Sequence, residues 1–351
     1  MVLAGLTLLL SACGGTTAAS SSTGSALSLQ MLAGALTSPP GHVDGTAALA
    51  QFNDPQGLVR DSSGNIWVID DASVIRKLSP PGQVSTLVGS AGVTGSSDGL
   101  GAAASFNAPR AIAIDQAGTL YVSDTGNQTV RKISPSLQVS TLAGSAGVLG
   151  SSDGSGTAAS FNTPWGIAVD SGGNVYVSDS LNHTLRKISP LGVVSTLAGS
   201  PGVSGYSDGS GAAARFNGPQ GLCIDAAGNL YVADTDNQVV RKVSPAGVVT
   251  TLAGNAGVAG RSDGSAAQAL FNQPTQVMVD AQDGVWVYDA GDASLRRIVA
   301  GQVSTVLSAS ASSQGLSFAQ LAPIAGLALA GNAQMVMSEA SGVVLFTGWT
   351  P

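Results

Sequence analysis

The chain has 351 residues, 44% of them hydrophobic and only 10% charged, which is enough apolar material for a large core and too little charge for a disordered chain. Its 14 Lys and Arg face 20 Asp and a single Glu, a net charge of −7. That balance opposes a phosphate backbone unless the cations gather on one face, so no nucleic-acid partner is expected.

The amino terminus reads MVLAGLTLLLSACGG, an apolar run ending in Leu10-Ser11-Ala12-Cys13. It is too short to span a bilayer as a helix and has the length of a secretory h-region. The last four residues resemble the lipobox of bacterial lipoproteins, although no Lys or Arg precedes the run. The resemblance implies a signal peptide over 1–12, lipid attachment at Cys13, and a protein anchored to the membrane of a bacterial cell envelope. Gly14 after the cysteine looks like default sorting to the outer membrane. Residues 13–28 are a Ser/Thr/Gly/Ala-rich linker that nothing would bury.

From residue 29 to 351 the chain is one repeat array. FNDPQG at Phe52 recurs as FNAPRA at Phe106, FNTPWG at Phe161, FNGPQG at Phe216 and FNQPTQ at Phe271, with a worn copy, FAQLAP, at Phe318. The intervals are 54, 55, 55, 55 and 47 residues, the signature of stacked supersecondary units. The third copy continues as GIAVD, SGGN, VYVSD, SLNH, TLRKISP and VVSTLAG. Short β-branched or aromatic runs between Gly/Asn/Ser/Asp turns predict four antiparallel strands joined by hairpins. Repeated radially, such units form an all-β, six-bladed propeller, with inner strands starting near residues 55, 109, 164, 219, 274 and 323. The sixth copy lacks a VSTLAG strand, and SLQMLAG at 28–34 supplies one before the first copy. Pairing it into the last blade closes the ring and removes the open edges.

The pattern GIAVD, GNxYVSD, Asn, xRKISPxG resembles NHL repeats, and the longer form with TLAG, a DG turn and AxFNxP is similar to NHL arrays of bacterial secreted proteins and of the teneurin propeller. The resemblance covers roughly residues 29–347. It implies a fold that hosts scaffolds as well as enzymes.

Most repeated residues read as scaffold. Asp124 and Arg131, Asp179 and Arg186, Asp234 and Arg241, Asp289 and Arg296 stand seven apart and flank a hairpin that a charge-assisted pair would brace. Asp44, Asp98, Asp153, Asp208 and Asp263 each precede Gly and suit tight turns. One carboxylate per turn falls short of the about six to eight oxygens that calcium takes. Each Phe is expected to plug the groove between blades. The basic pairs Arg76-Lys77, Arg131-Lys132, Arg186-Lys187, Arg241-Lys242 and Arg296-Arg297 would be spread round the circumference. Cys223 stands where other copies have Ala113 and Ala168, and so reads as a small buried filler. His42 has no obvious partner.

If shared positions are scaffold, function belongs where copies differ. The residue after the proline reads Gln56, Arg110, Trp165, Gln220, Thr275 and Ile324. By analogy with propellers this place precedes the innermost strand at the channel mouth, where a Trp beside an Arg and two Gln offers stacking and directional hydrogen bonds to a ligand. His183, in a hairpin where copies two and four have Gln128 and Gln238, is a second candidate. Enzyme readings fare worse. The amidating lyases of this fold hold zinc through several histidines, and this chain has two. Gluconolactonase-type propellers hold calcium through Glu, Asn and Asp at the channel, which leaves Glu339 as the only candidate. The expectation is a binding or scaffold protein for a protein or small-molecule ligand, with no cofactor, metal or catalytic residue assigned; the alternative is a calcium-dependent lactonase-like hydrolase.

Overall fold

A computed structural model of the chain describes residues 27–35, 39–313, 316–331 and 334–348; Cys13 and the leader lie outside them. Six antiparallel sheets stand round a central channel. The third blade is representative, with strands Pro164–Val169, Val175–Asp179, Thr184–Ile188 and Val193–Gly199 from the channel outward. Its strands alternate between faces buried against the two neighbouring blades, as the β-branched pattern requires.

The ring closes as the sequence implies. Ser28–Gly34 pairs antiparallel with Gly342–Thr347, from Ser28 opposite Thr347 to Gly34 opposite Gly342, and becomes the outer strand of the sixth blade. Leu29 and Ala33 enter the core there.

One expectation needs correction: blades one to five have five strands, and only the sixth has four. The extra strand is the Asp-Gly segment. Gly154–Ser155 runs along the blade's outer edge, with Gly154 opposite Val194. Asp153 fixes it there by accepting from Thr196 N–H at 3.1 Å and Thr196 Oγ1 at 3.0 Å. A side chain free to cap its own turn is instead bound to a strand 43 residues away.

Each Phe does fill the space between blades. Phe161 packs with Val130 and Ala143 of the second blade and Val175 and Val177 of the third, and is fully buried. A guanidinium covers the ring in the first five copies, from Arg76 over Phe52 at 4.5 Å to Arg131 over Phe106 at 5.3 Å. The first arginine of each basic pair therefore points inward and is 0% exposed, which corrects the picture of paired charges round the rim. The following Lys187 and Lys242 lie outside, against Tyr176 and Tyr231.

Each buried Arg joins two aspartates. Arg186 donates through Nη1 to Asp179 at 2.8 Å and through Nη2 to Asp153 at 2.7 Å. Asp179 also accepts from Asn182 Nδ2 and from Asn162 N–H, each at 2.7 Å. The brace read seven residues apart is thus real, and the Asp of the Asp-Gly segment is its second arm. The first blade has the same knot through Asp70 and Arg76, six apart because its hairpin is shorter. Burial pushes the carboxyls of Asp70, Asp179 and Asp234 up to about 6, against the pull of these donors.

Candidate functional site

The inner strands come closest at their starts, beside the varied position. A Cβ on Gly166 would lie 2.3 Å from the Gln220 carbonyl oxygen, and one on Gly221 would lie 2.4 Å from that of Thr275. Glycine after the varied residue lets neighbouring strands approach so closely. Serines of the second strands latch the same edge: Ser123 Oγ donates to the Trp165 carbonyl and Ser178 Oγ to that of Gln220, both at 2.5 Å.

Trp165, Gln220 and Thr275 lie inside their strands, where the sequence suggested a position just before them. Pro164 faces Asp179 but Ile167 faces Val177, so one residue is extra on the inner strand. This bulge re-aims the side chain while the rest of the strand keeps its register.

Three of the six side chains meet. Arg110 donates through Nη1 to Gln56 Oε1 at 3.0 Å, and its guanidinium carbon lies 4.7 Å from the Trp165 ring centroid. Arg110 forms no ion pair among the described residues, and Gln56 is buried beneath it. The arc thus holds a planar cation stacked on an indole and steered by an amide, with donors left for an acceptor from outside. Gln220 and Thr275 are half-buried further round the ring, and Ile324 is buried in the core between the fifth and sixth blades. Below the mouth runs a channel of about 280 Å³ walled by the inner strands, with Ile114, Val169, Ile224 and Val279 among its residues. Cys223 is on this wall, partly buried and packed against the core between the fourth and fifth blades; burial pushes its thiol well above the usual range.

His183 does something the sequence did not suggest. Its Nδ1 accepts the Gly218 N–H at 3.1 Å, the bond that Gln128 makes to Thr163 N–H at 2.7 Å and Gln238 to Gln273 N–H at 2.6 Å. The residue is a latch to the next blade and touches no member of the Gln56–Arg110–Trp165 arc. Burial lowers the imidazole's pKa, with Asp236 opposing. The folded state therefore binds fewer protons than the unfolded one near neutrality, so this contribution is present above about pH 6.5 and is lost as pH falls through the lowered value. His183→Gln keeps the acceptor without the titration. Melting curves should show the variant gaining on the parent between pH 7 and 5; parallel pH profiles would refute the latch. His42, unpartnered in the sequence reading, lies 3.3 Å from the Asp71 carboxylate.

Glu339 is away from the channel. It occupies the place of the buried Asp in the sixth blade, where Val344, opposite Met337, stands in the arginine's place, and its oxygens accept from Ser341 Oγ at 2.9 Å and Ser341 N–H at 3.1 Å. Among the described residues no group of three or more His, Cys, Asp or Glu is placed to hold a metal ion.

Comparison with known proteins agrees with the repeat. The NHL repeat family matches at residues 106–133, 161–188 and 216–242. NHL repeat-containing protein 2 of Gallus gallus is 36% identical over 132 residues, 35% of this chain and 18% of that protein. Teneurin-3 of Mus musculus is 28% identical over 228 residues, 57% of this chain and 8% of that one. The chain therefore spans less than a fifth of the length of either relative. Among solved structures, a Bacteroides thetaiotaomicron protein of unknown function superposes with a TM-score of 0.67 at 18% identity, covering 92% of this chain and 76% of that one, a likeness of fold.

Proposed function

Starting from what this chain is, a six-bladed β-propeller of NHL repeats, we propose that it is a binding protein of the bacterial envelope. Cys13 would anchor it by lipid to the outer membrane, and the channel mouth would recognise a protein or small-molecule ligand. The observation that supports this reading is the stack of Arg110 on Trp165 with Gln56 behind it. In an array whose copies hardly vary, these unlike side chains serve no repeated structural purpose, and they are already ordered for a carboxylate, carbonyl or aromatic group. Gln220 and Thr275 extend the rim, and His183 lies beyond it. A lactonase-like hydrolase is the weaker reading, because Glu339 is spent on Ser341 away from the channel.

The test is Arg110→Ala with Trp165→Ala, compared with Lys132→Ala plus Lys187→Ala on the outer strands. The first pair should melt near the parent yet retain partner from envelope extract more weakly, by about 2 kcal/mol or more if these are anchors. Partner lost with the lysine pair alone would move recognition to the rim. In the same cells Cys13→Ser should shift the protein out of the membrane fraction; unchanged fractionation would remove the anchor from the proposal.

A further inference from the structure

The repeat provides an internal control for surface residues: a side chain absent from sister blades is not required by the blade. Three apolar side chains at the top of the third blade are well exposed, Leu149 at 63%, Leu181 at 55% and Val203 at 46%. The equivalents of Leu149 are Thr94, Ser204 and Ala259, and those of Leu181 are Gly126, Asp236 and Gly291. Only the valine recurs, as Val93, Val148 and Val258.

One asparagine draws the three together. Asn182, next to Leu181, donates through Nδ2 to the Gly150 carbonyl at 2.7 Å, beside Leu149. Its own carbonyl accepts the Gly202 N–H at 3.1 Å, beside Val203. The hairpin carrying Leu181 also bonds the strand that leads to Trp165, through Leu181 N–H to the Asn162 carbonyl and Ser180 N–H to that of Thr163, each at 3.1 Å. Every blade with this asparagine makes the same knot, as Asn127 does with Gly95 and Gly147. Only the third fills it with three aliphatic side chains. The three exposed apolar side chains thus stand round one hairpin, which is bonded to the segment entering the strand of Trp165, and on Trp165 is stacked Arg110, a cation with no carboxylate partner among the described residues.

We propose that this cluster is a docking surface for a partner polypeptide that lays aliphatic or aromatic side chains on Leu149, Leu181 and Val203 and sets a carboxylate on Arg110. The inference rests on the reading of the channel mouth as a recognition site and gives that site its partner class. Charge selects the occupant. The cation on Trp165 favours an acidic group, and the net charge of −7 opposes a second copy of the chain or an anionic lipid surface. An exposed apolar cluster accompanied by one fixed cation matches an interface core with its polar edge.

The test pans a random-peptide phage library on the immobilised parent and on Leu149→Ser with Leu181→Asp, which gives the third blade the residues its neighbour carries at Ser204 and Asp236. Parent-selected peptides should pair an Asp or Glu with nearby aliphatic or aromatic residues, and the double variant should bind them about tenfold or more weakly. Arg110→Ala with Trp165→Ala should weaken them too. Binding lost only in the mouth variant overturns the cluster and spares the mouth. Peptides that bind the parent and both variants alike, or no enrichment on the parent, overturn both. The proposal also fails if the cluster variant abolishes self-association of the parent in sedimentation, or abolishes its pelleting with phosphatidylcholine–phosphatidylglycerol vesicles while leaving peptide binding intact.

Discussion

Removal of Ser28–Gly34 should destabilise the chain more than any single substitution and should make it associate. The strand places Leu29 and Ala33 in the core and pairs along the whole of Gly342–Thr347. A buried leucine contributes about 1.5–3 kcal/mol and each ladder bond about 1 kcal/mol, so the loss should exceed about 5 kcal/mol, much of what a domain has in total. The edge laid bare carries Val343, Val344 and Phe346, all fully buried in the closed ring. Edges of that composition pair with other chains. Thermal melting and size-exclusion chromatography of the chain without residues 1–34, against the chain without 1–26, measure both effects. Leu29→Asp retains the strand and should show a smaller loss of the same kind. A truncated chain that melts and elutes like its parent would show that the last blade closes without this strand.

The second large effect belongs to the buried knot of one blade. Asp179→Ala leaves Arg186 fully buried with only Asp153, whose side chain is 51% exposed, as its counter-charge. Breaking such a pair typically costs about 3–5 kcal/mol. Asp179→Ala with Arg186→Met removes both charges, and urea unfolding should then show a loss smaller than the sum of the two single changes. The molecule contains a precedent for the apolar solution, since the buried Val344 stands in the arginine's place in the sixth blade. Asp153→Ala should cost about 1 kcal/mol or less, because solvent screens an exposed partner. Additive losses in the double variant would mean that the two side chains stabilise the blade independently, contrary to the geometry.

Recognition depends on what the scaffold leaves over, and here the blade knots occupy much of the charge that the sequence displays. Five arginines and ten aspartates are held in the blade knots. His183 serves as a latch between blades, while Arg110, which belongs to no knot, remains available.

What the sequence determined by itself was whatever has a short-range cause. Turn residues between β-branched runs set the hairpins, the recurrence of Phe52, Phe106, Phe161, Phe216 and Phe271 with the worn copy at Phe318 set the number of blades, and the displaced SLQMLAG strand revealed the closure. The contrast of Arg110 and Trp165 with their sister positions was legible for the same reason, and Leu149 and Leu181 carried that signal unnoticed. Tertiary structure alone decided which distant groups meet. Asp98 reaches Arg131 from 33 residues away, and Gln56 reaches Arg110 from 54, only because the chain wraps each blade's outer edge before entering the next. No local pattern marks an aspartate that will cross an edge, or a Gln128 or His183 that will accept an amide from the next blade. Those pairings are set by the angle between neighbouring sheets, which exists only once the ring has closed.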